Sequence, residues 1–304
     1  MFYRRLAIVA TLLALFLTVF ALGMQSGARQ DQAFHFFRAV KQFWLPPKPA
    51  PERLYRLNEW AQLIEYRDKQ VVPRPPLTPE TWVIFTFGQS NSANHGGERF
   101  IQSSDKLLNF WDGQFYVASD PLLGATGFAG SIWTHMGQQL IQQGMTDQVI
   151  LLSAGVGLTQ VSDWQPQGKL HAMLIQRLQE AQGHGLTITH FLWHQGESDH
   201  GTPPEAYQQG LQQVIDTTQR YFPKSKFVVA QTSMCQERAS DPALIQAQQA
   251  VTRRPGVYLG PNTDSISRAD RYDDCHFSGR GLSRAAQGWV DALAAAEKQK
   301  AQPR

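Results

Sequence analysis

Apolar and polar positions follow two rhythms along this chain, and the switching between them sets out its elements. Short β-type apolar runs stand at Trp82–Phe87, Gln148–Ser153, Leu186–His194, Lys226–Gln231 and Gly256–Gly260. Between them lie longer stretches with helical spacing: Ser131–Gln143, Leu170–Gln182, Pro204–Tyr221, Pro242–Thr252, and Ser283 to about Lys298. Buried parallel strands read as nearly continuous apolar runs, and helices carry the chain back between them. The alternation predicts βαβ units and a mostly parallel sheet covered on both faces, with ligands bound at the carboxyl ends of the strands. Trp111-Asp112-Gly113-Gln114-Phe115 reads as a hairpin turn between aromatics, with stacking on a sugar ring as its other use.

The first residues follow a different pattern. Arg4 and Arg5 precede an apolar run from Leu6 to Leu22, closed by Gly23 and a polar stretch from Gln25. Its length falls between the core of a cleavable signal and a full membrane span, and its hydrophobicity favours an uncleaved anchor. Residues 1–27 are therefore expected to be a signal-anchor or signal peptide, placing the body on the periplasmic or extracellular side, or secreting it if the signal is cleaved. A polar-aromatic helical stretch from Ala28 to Phe43 and an amphipathic one from Leu54 to Arg67 flank Leu45–Pro51, whose prolines remove donors and fix backbone angles. Residues 28–79 thus read as a proline-rich spacer with short helices, and residues 80–300 as the catalytic domain.

Composition changes this picture little. A chain of 304 residues, 42% hydrophobic and 17% charged, is enough for one substantial core. The net charge of +3 is spread over scattered Lys and Arg, which argues against nucleic acid as a partner and favours a small molecule or glycan. Export would put Cys235 and Cys275 where a disulfide persists; a bridge and two buried thiols both fit the sequence.

Three segments carry chemistry. Ser90 follows the first strand directly, in Gly88-Gln89-Ser90-Asn91-Ser92, where a reactive group is expected. A serine hydroxyl needs a base to become a nucleophile; alone, Ser90 reads more readily as a helix cap. The base is offered by Asp273-Asp274-Cys275-His276 just before the last helix, where either aspartate has the chemistry to orient the imidazole of His276. The third segment, Trp193-His194-Gln195-Gly196-Glu197-Ser198-Asp199, closes another strand, and the Gln195 amide is suited to hold an oxyanion. A backbone N–H normally completes such a hole, and the glycines of Gly124–Gly130 are candidates for it. His190 and His194 share a strand face but stand about 13 Å apart, too far to hold one metal ion.

In this order, Gly88-Gln89-Ser90-Asn91, Trp193–Asp199 and Asp273-x-x-His276 resemble the sialate O-acetylesterase-like branch of the SGNH hydrolases, which includes carbohydrate esterase family six. The resemblance covers most of the chain after about residue 80. It implies a flavodoxin-like α/β/α sandwich, no metal or other cofactor, and a triad of Ser90, His276 and Asp273, with Asp273 preferred over Asp274 by the family's spacing. It also implies an oxyanion hole from the Ser90 and Gly130 N–H groups and the Gln195 side chain, supported by Gln89, Asn91 and Glu197. The implied activity is removal of acetyl groups from sugar hydroxyls, with an acetylated glycan or small acetyl ester as partner. A glycan O-acetyltransferase with the same triad, a lipid esterase and a non-catalytic glycan-binding protein are the alternatives. Oligomeric state is not legible.

Overall fold

Strand and helix boundaries come from the computed structural model of the protein, which describes Thr18 and residues 54–299. The expected anchor Leu6–Leu22, apart from Thr18, and the Leu45–Pro51 spacer lie outside the described residues. Among the described residues, no helix is long and apolar enough to cross a membrane.

The strands are β1 (Tyr55–Leu57), β2 (Leu63–Tyr66), β3 (Val71–Val72), β4 (Thr81–Gly88), β5 (Leu107–Trp111), β6 (Gln114–Val117), β7 (Gln148–Ser153), β8 (His190–His194), β9 (Lys226–Gln231) and β10 (Val257–Asn262). The α-helices are α1 (Ile132–Gln142), α2 (His171–Gly183), α3 (Pro204–Tyr221), α4 (Pro242–Val251) and α5 (Gly279–Lys298). The main sheet has the order β10-β9-β8-β4-β7-β5-β6-β3. Pairings from β10 through β5 are parallel, and β6 and β3 add an antiparallel edge.

Period-two alternation assigns the faces of β4. Val83, Phe85 and Phe87 point into a core shared with Leu174 and Leu178 of α2, Leu211 and Val214 of α3 and Leu244 of α4. Ile84 points to the other face, where Trp133 and Met136 of α1 meet Trp289 and Leu293 of α5. Each fully buried large apolar side chain favours folding by about 1.5–3 kcal/mol, so both faces must be covered, and the result is the expected α/β/α sandwich. The order of strands switches direction at β4, which leaves the crevice for a ligand at its carboxyl end.

Two expectations need correction. The stretch Leu54–Arg67 is a β-hairpin and not a helix: Tyr55 pairs with Tyr66 and Arg56 with Glu65, and Ala61 turns the chain with φ at 57°. Short apolar windows fit either period, and long-range pairing decided this one, because Leu63 is fully buried and exchanges hydrogen bonds with Ala125 O and the Gly124 N–H. The segment before residue 80 is therefore not all spacer: β3 is the sheet's edge strand, and the compact unit begins at Leu54. The last helix begins four residues earlier than its apolar pattern, because Ser278 caps it by accepting from the Gly281 N–H.

Candidate active site

The turn that carries Ser90 is made by the end of β4. Gly88 has φ at 128°, and a Cβ there would stand 2.1 Å from His194 O of the neighbouring strand. Only glycine permits that approach. The Gln89 N–H then donates to His194 O at 3.1 Å and the chain leaves the sheet in one 3₁₀ turn, Ser90–Ser92. Ser90 lies at the top of this turn at 5% exposure, its N–H the first of the turn and without a backbone acceptor.

Asp273 organises the second loop with both carboxylate oxygens. Oδ1 accepts from the N–H groups of His276 (2.6 Å) and Cys275 (3.1 Å), and Oδ2 lies 2.6 Å from His276 Nδ1. Partial burial works to raise the Asp273 carboxyl, but the hydrogen bonds from His276 outweigh it and hold the group below its ordinary value. With Asp273 on Nδ1, Nε2 of His276 is the ring nitrogen left able to accept a proton. Asp274, the alternative, has φ at 61° and its carbonyl accepts from the Gln236 N–H; it makes no bond to the imidazole.

The His276 ring has two aromatic neighbours. His95 stacks on it at 5.4 Å and 23°, and Tyr272 at 5.9 Å and 24°. The Tyr272 hydroxyl donates to His95 O at 3.0 Å, joining these two neighbours. Burial first, and the charge of His276 second, push His95 down to about 4, so it stays neutral beside its partner. His95 comes five residues after Ser90, so this stack brings the Ser90 turn to the loop that bears His276. Ser90 Oγ and the imidazole share no hydrogen bond.

A second tie runs underneath. Asn91 Nδ2 donates to Glu197 Oε1 at 2.8 Å and to Cys275 O at 3.4 Å. Arg271, buried against the Phe277 ring at 4.5 Å, donates to Cys275 O and, at 2.8 Å, to Thr263 O. Burial raises the Glu197 carboxyl, opposed by Asn91 and Arg271. Cys275 is bridged to Cys235 across 40 residues, fastening the loop that bears His276 to the segment after β9. Gln89 ties the third loop in: its Oε1 accepts from the Ser198 N–H at 2.9 Å and from Gln195 Nε2 at 3.2 Å.

The structure corrects two of the expected oxyanion donors. The Gly130 N–H donates to Gly96 O at 3.0 Å in a two-way backbone bridge, so it is already committed. The Gln195 amide is fully buried and turned inward, donating to Thr159 O at 3.0 Å, to Gln89 and to the Asp199 carboxylate. It is a strut between loops. Sequence reading passed over the loop after β7, Gly155-Val156-Gly157-Leu158-Thr159, although it too leaves a strand at the carboxyl edge. There the Gly157 N–H donates to Thr126 Oγ1 at 2.9 Å, and that hydroxyl is 3.1 Å from His95 Nε2. Leu158 beside it is 88% exposed with φ at 62°, an unfavourable backbone for a bulky residue and a mark of functional sites. His190 and His194 do not converge: His190 Nε2 is 2.8 Å from Glu297, and His194 is buried next to Thr263 and Glu197.

The carbohydrate esterase, sialic acid-specific acetylesterase family model matches residues 80–294, well over half of the chain. No curated protein sequence matches it. Among solved structures, a protein from Arabidopsis thaliana is similar over 72% of this chain and 99% of its own, at 17% identity and a TM-score of 0.59. NanS is similar over 74% of this chain and 100% of its own, at 12% identity and a TM-score of 0.53. At such identities the likeness is one of fold, and it agrees with the sandwich described above. The family match spans the Ser90 turn, the Gln195–Asp199 loop and the Asp273–His276 pair, and the chain accordingly belongs to the sialic acid-specific acetylesterase family of carbohydrate esterases, carboxylic ester hydrolases of the SGNH type.

Proposed function

We propose that the protein removes O-acetyl groups from a glycan through an acyl-enzyme on Ser90. The observation that carries this reading is the Asp273–His276 pair, stacked through His95 onto the turn that bears Ser90. In this mechanism Ser90 Oγ attacks the acetyl carbonyl as His276 Nε2 takes its proton, and the imidazolium, stabilised by Asp273, returns that proton to the departing sugar hydroxyl. Water then attacks the acetyl-serine by the same route and frees acetate. The Ser90 N–H, at the start of its turn, is one donor to the oxyanion. We assign the second to Gly157 in place of Gly130, because its present acceptor is a hydroxyl beside His95 that can turn away, whereas the Gly130 amide is held in a backbone bridge.

Placement outside a membrane belongs to the same proposal. It is supported by Arg4-Arg5 and the apolar run after them, and by the Cys235–Cys275 bridge, which persists in oxidising compartments.

Release of p-nitrophenol from its acetate ester tests the chemistry. The full chain is expected to cleave acetyl in preference to longer acyl groups, with a pre-steady-state burst, and Ser90→Ala is expected to lower kcat by more than about 10³-fold. Full activity in Ser90→Ala, or none in the folded wild type on any acetyl ester, overturns the assignment.

A further inference from the structure

The carboxyl edge of the sheet holds a second concavity, apart from Ser90 and His276. It is a cleft of about 480 Å³ between the β1–β2 hairpin, the β5–β6 turn and α2, lined among others by Trp60, Trp111, Tyr116, Gln62, Arg177 and Glu180. This volume lies within the range of small-ligand sites, roughly 300–1,000 Å³. Three aromatic rings in one cleft suit the flat faces of a sugar. The Trp111 ring is held in place, with the Arg177 guanidinium 4.1 Å over one face.

The polar groups are matched to hydroxyls. Arg177 is 3% exposed and paired with Glu180, yet its Nε and the Glu180 Oε1 are buried with no partner. Buried polar atoms without partners are uncommon and costly, and a donor and an acceptor among the lining residues are the two kinds of group that a sugar hydroxyl, which both accepts and donates, would satisfy. Charge narrows the class further. Arg56 is paired with Glu65 and Arg177 with Glu180, while Glu59 and Asp112, which also line the cleft, form no ion pair among the described residues. The cleft is therefore net negative and repels an anionic sugar. It is also wired to the reaction site: Gln62 lines the cleft, its backbone bridges Thr126, and the Thr126 hydroxyl is 3.1 Å from His95.

We propose that this cleft is an accessory subsite for a neutral sugar residue of the same glycan chain whose acetyl ester is presented to Ser90. The link to the ester rests on the esterase reading above; the binding itself does not. Titration calorimetry of the full chain with unacetylated xylohexaose, cellohexaose and chitopentaose, and with hexagalacturonate as the anionic probe, separates the two. At least one neutral probe is expected to bind and hexagalacturonate is not. Trp60→Ala and, at an exposed position that leaves folding intact, Glu59→Ala are each expected to weaken that binding about tenfold. On the acetylated form of the bound oligosaccharide, the ratio of its kcat/KM to that on p-nitrophenyl acetate is expected to fall by a similar factor. Oligosaccharide binding lost in these variants of a chain that cleaves no ester sustains the cleft while the esterase reading fails. Absence of binding by every neutral probe, equal binding of hexagalacturonate, or binding untouched by both substitutions overturns the subsite.

Discussion

Neutral His95 stands between the Thr126 hydroxyl and the His276 ring. Its ring is held down to about 4 mainly by burial, against 6.5 for a free histidine. The unfolded chain therefore takes up this proton first as pH falls, and the contribution of His95 to stability is lost between about pH 6.5 and 4 and complete above that window. Asp120, raised by burial to about 7, acts in the opposite direction, so the pH curve of the wild type alone is a mixture of both. Comparison with His95→Asn isolates the histidine. Between pH 7 and pH 5 the wild type should lose about 1–2 kcal/mol more than the variant in urea unfolding. Parallel losses in the two proteins would mean that the ring is not held neutral by its site.

At the level of elements, the turn that carries Ser90 depends on how closely the ends of β4 and β8 approach. Gly88 sits opposite His194 in that parallel pair, and the next N–H returns to His194 O. Gly88→Ala would put a methyl into a carbonyl and force a side chain into a φ of 128°, so strand and turn must separate. The expected cost is about 3 kcal/mol or more in chemical denaturation, with esterase activity lost in whatever fraction still folds. A variant that is as stable and active as wild type would show that the strand ends have room to move. The same logic explains the hairpin at Asp112-Gly113: both residues have positive φ, at 48° and 75°, as a primed two-residue turn requires, and the sequence pair announced it.

For the whole molecule, the loop that bears His276 is a long connection fastened to distant parts of the chain. The Cys235–Cys275 bridge closes a 40-residue segment, and the Cys275 carbonyl is held by Arg271 from within the loop and by Asn91 from the Ser90 turn. Closing a loop of this length stabilises the fold by about 4 kcal/mol in the chain-entropy description. Replacing both cysteines by alanine is expected to lower the unfolding free energy by a comparable amount. It should also lower kcat more than it changes KM, since the loop that aims His276 loses one tether. An unchanged unfolding midpoint under reducing and non-reducing conditions would contradict this.

Fold class, the parallel order of elements and the pairing of Asp273 with His276 were legible in the sequence, because each rests on local information; the catalytic roles of Ser90, Asp273 and His276 belong to the proposed function. Buried strands and amphipathic helices advertise their own periods, and the spacing Asp-x-x-His lets one carboxylate reach both the backbone and the ring of the same turn. What the sequence could not decide was everything settled by pairing across distance. Residues 54–67 fit a helix until Leu63 found Ala125; the Gly130 and Gln195 amides were available as donors until Gly96, Thr159 and Asp199 took them. A hydrogen-bonding group has many partners in sequence but few in space. Only the packed structure, by burying these groups and satisfying some of them, determined which amides are already committed and placed His95 over His276.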